Sequence, residues 1–185
     1  FRRVLFRSDN FCERRGFSVT QCPAGIGHQG QDIRPAPCKP EMGQERCAQA
    51  DDVVAVRDGM ILRSPMQEAA YLFVNSKNEH IRFRYLHMNP RKMDADNLLS
   101  GRVVREGEVI GRVSNFNIKE NGTSHHLHFD IQVPTKDGWV FVNPYTTLIA
   151  AYERLIGLRG IELPIPANDE EIGARENPRS KKSYK

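Results

Sequence analysis

The 185-residue chain reads as a mainly β protein: a compact antiparallel β-sheet core, sandwich or barrel-like, with one helix near the C-terminal end. Three observations predict this. Short apolar runs separated by turn residues dominate the stretch from 53 to 142. Asp58-Gly59 and Lys136-Asp137-Gly138 have the chemistry of hairpin connections. A helical period is found mainly once, after Asn143.

The chain begins without methionine, and Arg2-Arg3-Val4-Leu5-Phe6-Arg7-Ser8 resembles translated sequencing adaptor, so residues 1–8 are set aside and the natural N-terminus is expected upstream. Residues 9–52 form a cysteine-bearing segment that contains Gly27-His28-Gln29-Gly30-Gln31-Asp32. Residues 53–145 hold the β core, with strands expected at Val53–Arg57, Met60–Arg63, Ala70–Asn75, Ile81–Leu86, Val103–Arg105, Val109–Val113, His126–Val133 and Trp139–Val142. Asn143 can cap a helix and Pro144 suits its first position. Leu148, Ile149, Tyr152, Leu155 and Ile156 then repeat at helical spacing before Gly157 and Gly160, giving a helix over 146–160. Residues 161–185 are Pro-rich, charged and aperiodic, and read as an extended or disordered tail.

Charge excludes one class of partner. The net charge is +4, and the last eleven residues hold five basic groups and one acidic, so the excess is a property of the tail and not of a nucleic-acid surface. No run approaches the roughly 18 apolar residues of a membrane span. The length suits one domain with a real core, taken as a monomer.

The chemistry is concentrated in histidines. In His126-Leu127-His128-Phe129-Asp130 a strand places His126, His128 and Asp130 on one face, with the imidazoles roughly 6–7 Å apart. Either both bind one metal, or one binds and the other works beside it. His28 and Asp32 would lie about 13 Å apart on a straight strand, too far to share an ion with bonds near ~2 Å. Gly27 and Gly30 let the backbone bring them together, and the glycines and prolines nearby argue against a helix. Three histidines with a carboxylate are the donor types zinc prefers. Tyr85-Leu86-His87-Met88 adds a further imidazole. His80 falls in a polar hairpin loop, and His125 faces away from His126. Asp130 could orient a ligand from behind or be a plain strand carboxylate.

These motifs, HxxxD at His28 and Asp32, YxH at Tyr85 and His87 and HxH at His126 and His128, together with Val53–Gly59 and Gly101–Gly111, resemble the lysostaphin-type (LytM-like) zinc endopeptidases of bacterial cell-wall hydrolases over roughly residues 20 to 145. The resemblance implies the duplicated hybrid fold of that family, with one Zn2+ per chain in a groove on one face of a small β-sheet core. It implies that His28, Asp32 and His128 bind the zinc and that His126 and His87 are the catalytic histidines. Peptidoglycan would be the substrate. The enlarged cysteine-bearing loop after Asp32, and Ser114-Asn115-Phe116-Asn117 in place of a glycine-rich turn, depart from the family and bear on substrate choice. Stem-peptide cross-links are preferred over glycine bridges.

Cys12, Cys22, Cys38 and Cys47 include no CxxC pair, which favours disulfides and a periplasmic or extracellular setting over a second metal site. Three connectivities are possible. Cys22 and Cys38 each stand six residues outside the first metal motif, so the expectation is Cys22–Cys38 across it and Cys12–Cys47 beyond. Two rivals exist. A non-catalytic regulator of a cell-wall amidase with the same fold would have lost ligands that are filled here. A lipoyl-type carrier would need an exposed hairpin lysine and would leave the histidines unexplained.

Overall fold

The structure, a computed structural model, describes residues 10–35 and 51–157. The segments 1–8 and 161–185, Cys38 and Cys47 lie outside the described residues.

Among the described residues, nine strands are β1 (Gln31–Ile33), β2 (Asp52–Val54), β3 (Gly59–Leu62), β4 (Ala70–Asn75), β5 (His80–Leu86), β6 (Val103–Val104), β7 (Val109–Arg112), β8 (Leu127–Thr135) and β9 (Gly138–Val142). The α-helices among the described residues are α1 (Pro90–Ala95) and α2 (Tyr145–Leu155), and a 3-10 turn covers Pro23–Gly25. The antiparallel sheet runs β1-β8-β5-β4-β3-β6, with β9 also on β8, and β2 and β7 form a separate ribbon. β8 is the centre of the arrangement. One edge pairs with β5 over His128–Gln132, and the other is shared between β1, opposite Leu127–Phe129, and β9, opposite Ile131–Thr135.

Period-2 alternation explains which face is which. Ile61, Leu72, Phe83, Tyr85, Phe129 and Ile131 turn inward and are 0–3% exposed. Val53, Ala55 and Ile110 of the ribbon region, with Met88, Met93 and Leu98, complete that core. Each such large side chain contributes about 1.5–3 kcal/mol on burial. Tyr85 belongs to this layer, and its hydroxyl oxygen accepts the Val56 N–H at 3.0 Å. The opposite face of β8 carries His128, Asp130 and Gln132.

The fold is mainly β and antiparallel, as the alternation predicts. β1 and α1 are additions. β1 has only three residues and is recruited by pairing with β8. α1 starts at Pro90 and is capped by Asn89, whose side-chain oxygen accepts from Arg91 N and Lys92 N. Arg63, 2% exposed, ties α1 down. Its guanidinium donates to Asp94 at 2.6 Å and to the carbonyls of Leu98 and Pro90, both at 3.0 Å. In α2, Asn143 caps from one residue further out than expected, its Oδ1 accepting from Tyr145 N at 3.0 Å.

The cysteine expectation is corrected. Cys12 is bonded to Cys22, so neither Cys22–Cys38 nor Cys12–Cys47 forms. Residues 10–27 fold back on themselves: Val19 N donates to Gly25 O and Gly27 N to Phe17 O, both at 3.0 Å, and Ser18 bridges Ile26. That places the two Cα atoms 5.2 Å apart, inside the range a disulfide spans. The bond lies to one side of the first metal motif. It holds the turn segment that hydrogen-bonds to His28, where Cys12 N donates to His28 O and His28 N to Glu13 O.

Candidate functional site

The segment 27–32 runs along the edge of β8 and explains its own glycines. A Cβ on Gly30 would stand 2.2 Å from Phe129 O and 2.8 Å from Asp130 Cβ, and one on Gly27 would stand 2.9 Å from Cys12 Cα. Neither glycine takes a left-handed φ. They serve close approach: the chain between His28 and Asp32 lies directly on β8, and Asp32 becomes the cross-strand partner of His128.

Three buried donor atoms meet as a result. His28 Nε2 lies 3.0 Å from His128 Nδ1 and 3.3 Å from Asp32 Oδ1, and His128 Nδ1 lies 3.0 Å from the same oxygen. His28, Asp32 and His128 form the only such metal-capable group among the described residues. The outer atoms of both rings are occupied. His28 Nδ1 faces the Asn10 carbonyl at 3.1 Å, which can only accept, so that nitrogen carries the proton and Nε2 turns its lone pair inward. His128 Nε2 faces Asp130 Oδ2 at 3.2 Å, which orders this ring the same way.

This donor set fits zinc. Bonds of about 2.0–2.1 Å in tetrahedral geometry put ligand atoms about 3.3 Å apart, close to the separations observed. Electrostatics agree. Burial would raise the pKa of Asp32, but hydrogen bonds with His128 and His28 hold it well below the ordinary carboxylate range. Burial would lower the pKa of His128, but hydrogen bonds to Asp130 and Asp32 hold it above the usual histidine value. A cation and a proton therefore compete for Nδ1.

Two further imidazoles border the cluster. His126, one residue before β8 and bridged to Ser114, donates from Nδ1 to Ser124 O at 2.6 Å and leaves Nε2 3.6 Å from Asp32 Oδ1. His87 follows β5 with φ of 70°, a left-handed conformation that its surroundings must enforce. Its Nδ1 donates to Phe116 O at 2.8 Å, and its carbonyl accepts from Ser114 Oγ at 2.5 Å. The rings of His87 and His126 are 4.6 Å apart between centroids. Burial pushes the pKa of both below the usual value, outweighing the carbonyl acceptors at Phe116 and Ser124. Both rings are thus neutral near pH 7 with Nε2 unprotonated.

The structure therefore brings His28, Asp32, His87, His126 and His128 to one place, while His80 stands exposed at the start of β5 and His125 is exposed. Sequence reasoning missed Asn10, Ser114, Ser124 and Arg84. Asn10, Ser114 and Ser124 act through backbone carbonyls or hydroxyls, which no pattern announces. The loop 114–124 is pinned by hydrogen bonds from Ile118 N to Glu68 and from Asn89 to Glu120.

The sequence profile of peptidase family M23 matches residues 41–144, which include His87, His126 and His128 and begin after His28 and Asp32. No curated protein sequence matches the chain. Among solved structures, the antimicrobial peptidase lysostaphin from Staphylococcus simulans is similar, with a TM-score of 0.44 and 18% identity over 85% of this chain and 57% of that one. The chain thus spans little more than half the length of that protein, a likeness too distant to transfer residues or chemistry.

Proposed function

Since the chain belongs to peptidase family M23, we propose that it is a zinc-dependent endopeptidase that hydrolyses peptide bonds in peptidoglycan. The observation that carries this reading is the convergence of three buried donor atoms at 3.0–3.3 Å beside the imidazoles of His126 and His87.

His28, Asp32 and His128 would hold one zinc ion per chain. When bound, zinc supplies a Lewis acid for the scissile carbonyl and lowers the pKa of its water. The protein's own part is proton handling. His126 and His87 each present an unprotonated Nε2, fixed by an Nδ1–H held on a backbone carbonyl. One takes the proton of the attacking water and passes it to the amine nitrogen as the C–N bond breaks. The other, also neutral with Nε2 unprotonated, can only accept there, and it orients the attacking water through that water's second O–H.

The Cys12–Cys22 disulfide supports action outside the cytoplasm, in the periplasm or beyond. Stem-peptide cross-links are the favoured substrate, and the active form is a monomer. No described helix is long and apolar enough to cross a membrane.

The test is zinc content together with release of soluble fragments from purified sacculi, for the intact protein and His126→Ala side by side. One zinc per chain in both, with cleavage lost in the variant, is the expected result. Zinc binding with no cleavage by either protein would overturn the enzyme reading in favour of a regulator of the same fold.

A further inference from the structure

Behind the three donor atoms lies a buried polar relay that joins the two metal motifs. Asp130 is fully buried, yet none of its oxygens is idle: Oδ2 accepts from His128 Nε2 at 3.2 Å and from Arg84 Nε at 2.5 Å, and Oδ1 accepts from Gln132 Nε2 at 3.0 Å. Gln132 cannot turn over, because its Oε1 is held by Arg82 Nε at 2.7 Å. Arg84 has a second contact. Its Nη2 donates at 3.0 Å to the side-chain oxygen of Gln29, the residue after His28. One guanidinium thus spans the strand that carries His128 and the loop that carries His28.

We propose that Asp130 and Arg84 are positioning residues for the metal centre: Asp130 sets the orientation of the His128 ring, and Arg84 ties His28's loop to His128's strand. The inference rests on the zinc reading above. Its physical content is preorganisation. His28 and His128 are a hundred residues apart in sequence, and an ion can bind them tightly only if the chain has already held their lone pairs at bonding separation.

The chemistry of the relay makes two substitutions informative. Asp130→Asn removes the charge that holds Arg84 and turns an amide N–H against Gln132 Nε2, a donor that cannot reorient. Arg84→Lys keeps the charge but loses the fork, since one ammonium cannot reproduce separate Nε and Nη2 contacts. The readouts are zinc affinity by competition with a chromophoric chelator, the visible absorption of the cobalt(II)-loaded protein, and thermal unfolding of the metal-free protein.

Zinc affinity is expected to fall about 10–100-fold in Asp130→Asn, with a changed cobalt spectrum, and in the same direction in Arg84→Lys. Should Asp130→Asn fail to fold, Gln29→Ala decides alongside Arg84→Lys, because it removes only the loop contact of Arg84. It is expected to weaken zinc binding with unfolding little changed. Wild-type affinity and cobalt spectra in the folding variants would overturn the relay alone. A wild-type protein that takes up no zinc would overturn the relay and the metal reading together.

Discussion

Replacing Gly30 by alanine tests whether close approach to β8 assembles the site. The new Cβ would stand 2.2 Å from Phe129 O and 2.9 Å from Phe129 C, both backbone atoms of the central strand. Reaching even a tight contact near 3.0 Å requires the 28–32 segment to retreat by roughly 0.8 Å from a strand that packs at native density and cannot give way. His28 and Asp32 flank that point and would move with it, opening separations that now lie at 3.0–3.3 Å. The expected cost is about 1–3 kcal/mol of stability and about tenfold or more in zinc affinity. Urea unfolding and chelator competition would measure the two. Gly27→Ala, whose Cβ meets Cys12 Cα at 2.9 Å, should show a smaller effect. Gly16→Ala, with nothing within 4 Å, should show none. If Gly30→Ala behaves like Gly16→Ala in both assays, the reasoning is wrong.

Other consequences are open to measurement. Burial lowers the pKa of both His87 and His126, so each gains its proton only below the ordinary value of 6.5; the acid limb of kcat/KM on a cross-linked peptide should fall below that pH, and a limb at or above it would contradict the assignment. The raised pKa of His128 means that protons compete with zinc up to higher pH, so apparent zinc affinity should climb as pH rises past 6.5, and calorimetry near that pH should detect proton release on binding. Changing Cys12 and Cys22 to serine should lower unfolding stability by about 2–4 kcal/mol, read by urea titration, with zinc affinity weakened because the backbone partners of His28 lose their anchor. Arg63→Met would strand the carbonyls of Leu98 and Pro90 and cost about 2–4 kcal/mol while leaving zinc affinity unchanged; a large drop in affinity would show that α1 supports the site.

Much of this molecule is written locally. The alternation of β4, β5 and β8 is visible because side chains on a strand change face at every residue, so a run such as Ala70–Asn75 announces both its strand and its buried face. The motif residues are visible for a related reason: His126 and His128 share a face by spacing alone. Tertiary structure decided what depends on residues distant in sequence. Nothing local assigns Cys12 to Cys22 over the alternatives, because the choice depends on how residues 10–27 fold back. Nothing local makes Gln31–Ile33 a strand, since its pairing with β8 supplies the hydrogen bonds that define it. Spacing leaves His126 and His128 equivalent. They are distinguished by what holds the outer nitrogen of each ring: a carboxylate behind His128, which aims Nδ1 at Asp32, and a backbone carbonyl behind His126, which leaves Nε2 at the rim. The sequence by itself determined which donor atoms the protein owns and which strands carry them. Their orientation, and the arginine that joins their two supports, follow from packing between segments 46 to 100 residues apart, because a side chain's hydrogen-bond partner is set by the path of the whole chain and not by its neighbours in sequence.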